Sequence, residues 1–334
     1  MVAGIEDYSA AIVIPSMVRA PLLQGGHPVT RGGRLVRHAG GFCVVYPFTV
    51  GERRYAVRLW HVPVESVQRN LGTIFSALGK SALPYFLPCR YLQDAIQTAK
   101  GPQPAVVMDW TDAVPLKHYI AGHVREADVL EALAQAFLRM ATDLHSAGFS
   151  HDDLQHGNIL VRPDGSLVLV DYDSMYVPGM KDVPDEIKGL PAYQHPARGE
   201  QVYRSAASDR FSELVIYTSI RVLARHPHLW ERCRLADSET MLFTEADYQS
   251  MGLSDIFRTI EADGALRFLG RAVKDALRER SLDRIIPLEE IVGGQAEPLV
   301  TRLSRRWEDS GFRGGAFQSN TDLFRQLAEI ATKW

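Results

Sequence analysis

A chain of 334 residues, 46% hydrophobic and 23% charged, is long enough for two packed lobes and has the composition of an ordinary globular protein. Its formal net charge of -3 argues against a nucleic-acid partner. Its three cysteines, Cys43, Cys89 and Cys233, are odd in number and widely spaced, which argues against a disulfide framework or a zinc site. The opening residues lack the basic start and apolar core of a signal peptide, and no run reaches the roughly 18 apolar residues of a membrane span. The expectation is a cytoplasmic protein without a membrane partner.

In chain order, the first half carries short runs rich in β-branched and aromatic residues: 33–38, 41–50, 53–60, 87–92 and 105–110. They read as strands of an antiparallel sheet, with a hairpin turn at Gly51 and Glu52. One helix interrupts them, because Val64, Val67, Leu71, Ile74 and Leu78 recur at spacings of three and four. The second half is mostly helical. Residues 128–148 place Val129, Leu130, Leu133, Phe137, Met140, Ala141 and Leu144 on one face, with Gly148 as the C-terminal cap. Two short apolar strands then flank the turn Pro163-Asp164-Gly165. A further helix, opening at Ser208 or Asp209 and ending before Pro227, is apolar around most of its circumference. Near the end, Arg302, Arg305 and Arg306 read as a solvated helix face. The stretch from Thr321 to Trp334 reads as an amphipathic helix using Leu323, Phe324, Leu327 and Ile330.

Chemistry concentrates around the small hairpin. Asp153 precedes it, Asn158 lies five residues on, and Asp171 follows it. Asn and Asp oxygens are ligands that Mg2+ accepts while phosphates and waters complete its shell. A third carboxylate kept off the metal can orient a hydroxyl and take its proton, which is the equipment of phosphoryl transfer.

These residues stand in a recognisable order: His151-Asp152-Asp153-Leu154-Gln155-His156-Gly157-Asn158, then Asp171-Tyr172-Asp173. The order resembles the H-R-D-L-x-x-x-N and D-F-G motifs of the protein-kinase-like superfamily. It is most similar to a bacterial kinase-like family with HGDLQHGN and VDYD motifs, whose YAVR and YQHPAR also occur here. The resemblance implies an α+β, bilobal fold with an antiparallel β lobe carrying one main helix and a mainly helical second lobe. It implies an N-terminal extension (1–28) packed on the kinase-like domain, an N-lobe (29–109), a C-lobe (110–295) and a C-terminal linker and helix (296–334). It implies ATP and Mg2+ as cofactors, Asp153 as catalytic base, and Asn158 and Asp171 as metal ligands. His151 would support the loop from beneath, Asp209 would anchor its backbone, and Pro196 would close an activation segment in GLPAYQHPAR. Arg58 takes the place of the phosphate-binding lysine. Gly40, Gly41 and Phe42 would offer backbone N–H groups over the phosphates. Met108 sits at the gatekeeper position, and Asp109 to Thr111 would offer backbone groups to adenine.

Several positions depart from that pattern. Cys43 replaces the third glycine of the phosphate loop, and Asp152 removes the arginine that receives an activation-loop phosphate. Asp152 itself reads as a surface acid. Gln155 removes a cation from the transferring phosphoryl group, a loss on the order of 10²–10³ in rate unless Arg58, His156 or a residue such as Lys181 supplies it. The helix glutamate falls on Glu65 or Gln68. Three functions stay open: a protein Ser/Thr kinase, a pseudokinase that binds nucleotide and regulates a partner, and a small-molecule kinase of aminoglycoside-phosphotransferase type.

Overall fold

The structure is a computed structural model and describes residues 2–62, 65–186, 188–250 and 253–294, without side chains for 65–69. The first half builds a six-stranded antiparallel sheet. Its main strands are β1 (Cys43–Val50), β2 (Arg53–Trp60), β3 (Cys89–Thr98) and β4 (Gly101–Asp109), arranged β1-β2-β4-β3. Short pieces at His27–Pro28 and His38–Ala39 pair with β1. β1 and β2 form a hairpin whose two-residue turn needs the positive φ of Gly51, +57°. The register sets Arg58 opposite Val45 on one side and Val106 on the other, which fixes it mid-sheet.

Helix α1 (Ile5–Ile12) and the chain that follows it cover this sheet. Tyr8 and Ile12 pack with Val44, Tyr46, Phe48, Val57 and Ile96, and each such large side chain contributes about 1.5–3 kcal/mol on burial. The Tyr8 hydroxyl donates to the Trp60 carbonyl (2.7 Å), and the N–H groups of Arg19 and Ala20 donate to the Ala95 carbonyl. That second attachment coincides with a register irregularity between Leu92 and Ile96, where β3 offers an extra carbonyl. Helix α2 (Glu65–Lys80) lies between β2 and β3 in sequence and buries Leu71, Ile74 and Leu78.

The second half is helical apart from the hairpin β5 (Ile159–Val161) and β6 (Leu167–Leu169), to which Val114–Pro115 adds a third strand. Helix α3 (Leu116–His123) leads into α4 (Ala127–Ala147). The apolar stripe of α4 is buried as the spacing predicts, except that Val129 stays partly exposed and Ala134 joins the stripe. Gly148 ends α4 in the left-handed conformation, φ +72°, and turns the chain toward the catalytic-type loop. Helix α5 (Arg210–Arg225) is buried around most of its circumference. Several of its polar residues are engaged inside: Ser212 donates to the Tyr193 carbonyl, Ser219 to the Val215 carbonyl, and Glu213 lies 2.8 Å from His145, while the buried Thr218 hydroxyl has no hydrogen-bond partner. Helices α6 (Asp255–Ala262) and α7 (Arg267–Arg278) complete this part.

The fold is therefore α+β, an N-terminal antiparallel sheet followed by a mostly helical part, consistent with a kinase-like architecture. The chain divides into two units, residues 1–285 and 286–334. The described part of the second is a short helix, Leu288–Gly293, with its flanks. The basic face at 302–306 and the helix expected at 321–334 lie outside the described residues. No helix among the described residues is long and apolar enough to cross a membrane.

Candidate active site

The loop 150–158 leaves α4 and enters β5, and its shape is imposed from below. The Asp209 carboxylate, one residue ahead of α5, accepts from the backbone N–H groups of His151 and Asp152. His151 is fully buried, its Nε2 2.8 Å from the Val170 carbonyl. Ser150 pairs with Tyr176 through backbone bonds in both directions, and the Ser174 hydroxyl donates to the His151 carbonyl. The segments before and after the hairpin are thus tied to each other. Asp152 and Asp171 hold positive φ values, +65° and +68°, which non-glycine residues adopt rarely and Asp more readily than most.

This frame brings together the three residues assigned to chemistry. Asn158 Nδ2 donates to the Asp153 carbonyl (2.8 Å) and to its Oδ2 (3.0 Å). That leaves Asn158 Oδ1 as the oxygen available to a cation. Asp153 is half-buried, and its Oδ1, itself buried, has no hydrogen-bond partner. Burial pushes its carboxyl up to about 6; His151 opposes the shift and the nearby Asp171 adds to it. Over it lies Gly189 at φ +69°, so close that a Cβ there would stand 2.6 Å from Asp153 Oδ1 and 2.8 Å from Gln194 Nε2.

Asp171 meets Arg58. The guanidinium reaches Asp171 Oδ1 with Nη2 (2.7 Å), Asp173 Oδ1 with Nη1 (2.7 Å) and Cys43 Sγ with Nε (3.1 Å). Burial opposes the charge on Arg58, but Asp171 and Asp173 outweigh it and hold the guanidinium protonated. Asp173 is buried and also accepts from the Trp60 indole N–H (2.8 Å). Between the two acids, Tyr172 is buried edge-on against Phe75 of α2 and Phe86, and its hydroxyl accepts from the Leu87 N–H.

Other expected positions are altered by their neighbours. Asp152 is not a surface acid: it is fully buried, accepts from the Ser150 hydroxyl (2.8 Å), and faces Arg204 at 3.9 Å. Burial and the adjacent Asp209 push its carboxyl upward, while Arg198 and Arg204 hold it down. Gln155 folds back so that its Oε1 accepts from the Gly157 N–H (2.9 Å), which makes it a turn-former within the loop. His156 is no substitute cation. Burial and Lys117 lower its pKa to about 4, and Nδ1 meets the Tyr193 hydroxyl. Lys181 is exposed.

The N-lobe donors are partly spent. The Gly40 N–H bonds the Cys43 carbonyl, while Gly41 and Phe42 stay exposed at the turn tip. In the inter-lobe connection Met108 is buried. The Asp109 N–H goes to Pro88 and the Trp110 N–H to Arg54, and the Thr111 hydroxyl accepts from Arg162 Nε. Two of the three backbone N–H groups expected to face adenine, those of Asp109 and Trp110, are thus already engaged. The side chains of Glu65 and Gln68 lie outside those described.

The segment after Asp173 is locked by a cation that sequence reasoning passed over. Arg198, 1% exposed, grips Asp185 with two bonds (2.6 and 3.0 Å) and donates to Gln194 Oε1 and to the carbonyls of Ser208 and Asp152. Lys188 adds a bond to Asp185 and one to the Gln201 carbonyl. Pro196 opens a short helical turn in which His195 Nδ1 accepts from the Ala197 N–H. Arg198 was visible only as the last letter of YQHPAR. Nothing local marks Asp185, or the carbonyls of Ser208 and Asp152, as its partners.

The donor set suits Mg2+ carried by a nucleotide. One amide oxygen and one carboxylate are what such an ion takes from protein when phosphates supply the remainder. Among the described residues no group of three or more His, Cys, Asp or Glu could hold a metal by itself. Fold and loop together are consistent with a protein-kinase-like architecture. Residues 99–183, about a quarter of the chain and including the whole catalytic-type loop and Asp171, match the model of the ABC1 atypical kinase-like domain. No curated protein matches the chain.

Proposed function

We propose that the chain is an ATP- and Mg2+-dependent phosphotransferase that passes the γ-phosphate to a Ser or Thr hydroxyl of a protein, in the manner of a bacterial atypical kinase. The observation that carries the reading is the convergence of Asp153, Asn158 and Asp171 on one frame, with a carboxyl poised near pH 6 at Asp153. Mg2+ held by Asn158 and Asp171 would neutralise charge on the phosphates. Asp153 Oδ1, free of hydrogen-bond partners, orients the acceptor hydroxyl and takes its proton. Asn158 holds Asp153 Oδ2 and so leaves only one oxygen to the acceptor. Positive charge comes from Arg58, since Gln155 and His156 contribute none. Exposed Val202 and Tyr203, beside the locked segment, favour a macromolecular acceptor over a small one.

The pseudokinase reading has one specific observation in its favour: Arg58 is engaged by two carboxylates, one of them the metal ligand. Transfer from labelled ATP, measured with wild type, Asp153→Ala and Asp171→Ala, separates the readings. Transfer that both substitutions abolish supports the kinase. Mg2+-dependent nucleotide binding without transfer establishes the pseudokinase, and transfer to an aminoglycoside but not to protein moves the assignment to a small-molecule kinase.

A further inference from the structure

Arg58 has two unlike ends. Toward the interior, Nη1 and Nε meet Asp173 and Cys43, and the Asp173 side chain is 8% exposed and tied to the Trp60 indole. Toward the cleft, Nη2 meets Asp171, whose side chain is 40% exposed. In protein kinases the cation on this strand takes its counter-charge from a glutamate on the following helix. Among the described residues, Arg58 takes its counter-charge from Asp171 and from Asp173, two positions further on.

We propose that Asp173, held by Trp60, is the positioning residue for Arg58: it keeps the guanidinium in place while the outward Nη2 exchanges one acceptor, Asp171, for another, a nucleotide phosphate. The inference rests on the nucleotide-binding reading above. Without ligand, one cation faces two carboxylates, and Arg58 engages both. When a metal takes the charge of Asp171, Arg58 and Asp173 remain as a neutral buried pair and Nη2 is free to donate to phosphate. An arginine suits this post because its planar fork serves two acceptors at once, whereas an ammonium is a single point charge. Asp171 is therefore engaged until nucleotide arrives, so metal and nucleotide bind cooperatively.

The test uses the full chain labelled with 15N-tryptophan and the non-hydrolysable analogue AMP-PNP. The Trp60 indole resonance is assigned with Trp60→Phe. In wild type, Mg·AMP-PNP is expected to leave the Trp60 indole hydrogen bond in place. Mn2+ alone is expected to bind at least tenfold more weakly than Mn2+ with AMP-PNP. Asp173→Asn is expected to weaken Mg·AMP-PNP binding ten- to a hundredfold and to shift the Trp60 resonance. Should that variant not fold, Trp60→Phe, which loses one hydrogen bond to the Asp173 carboxylate but keeps the ion pair, is expected to weaken binding three- to tenfold. Arg58→Lys is expected to behave like Asp173→Asn despite its retained charge. Wild-type affinity in folded Asp173→Asn or Trp60→Phe, or tight Mn2+ binding without nucleotide, overturns the proposal. Absence of AMP-PNP binding by wild type overturns the nucleotide reading beneath it, which makes the two failures distinguishable.

Discussion

Replacing Arg198 with methionine is expected to be among the most disruptive single changes outside the apolar core. The side chain is 1% exposed and its partner Asp185 is 0% exposed, so the substitution strands a buried carboxylate. Breaking one side of a buried ion pair costs about 3–5 kcal/mol. The substitution also orphans Gln194 Oε1 and the carbonyls of Ser208 and Asp152, at about 1 kcal/mol or more each. Lys188, 3.0 Å from Asp185, offsets part of the stranded charge. The net expectation is a loss of about 4 kcal/mol, a large share of the roughly 5–15 kcal/mol typical of a domain. In a thermal melt that is a fall on the order of 10 °C. The pair is isolated by adding Asp185→Leu: the double variant is expected to recover about 2 kcal/mol, since an apolar pair can replace a buried ionic one. A melt of Arg198→Met within about 1 kcal/mol of wild type, or a double variant that simply adds both losses, would refute the reasoning.

Asp153 titrates near 6 in the fold against 3.8 in the unfolded chain, so the folded state holds its proton more tightly. Its stability contribution is full below 3.8 and is lost as pH rises through about 6; denaturant curves of wild type minus Asp153→Asn should show a falling difference across that window. If Asp153 is the base, transfer activity should rise through about pH 6 and level off above it. Gly189→Ala places a methyl 2.6 Å from Asp153 Oδ1 at φ +69°; it should cost about 1–2 kcal/mol in stability and more than tenfold in transfer, while AMP-PNP affinity measured by calorimetry is unchanged. Asp209→Ala removes the acceptor for two buried backbone N–H groups and should cost about 3 kcal/mol in a urea titration, with transfer activity falling in parallel.

Much of the site was legible in the chain because its geometry is local. Asp153 and Asn158 bond across five residues of one loop, and Asp171 follows a three-residue strand, so motif spacing alone places them near each other. The hairpin at Gly51 and the cap at Gly148 were legible for the same reason, since each depends on backbone freedom at one residue. Asp152 was misread because burial is not a local property. Nothing in HDDL says that Arg198 and Arg204 arrive from beyond the activation-type segment to cover it. His156 was misread likewise, since its neutrality comes from burial beside Tyr193 and Lys117.

The sequence by itself determined the order of the main strands and longer helices, most of the faces they bury and the residues gathered at the candidate site, because periodicity and short motifs act within a few residues. Only the tertiary structure decided how the charges are paired: Arg58 and Trp60 with Asp173, and Arg198 with Asp185. An ion pair needs contact within a few ångströms, and its strength depends on how much water the surrounding fold excludes. Both are set by segments as many as 115 residues apart in the chain.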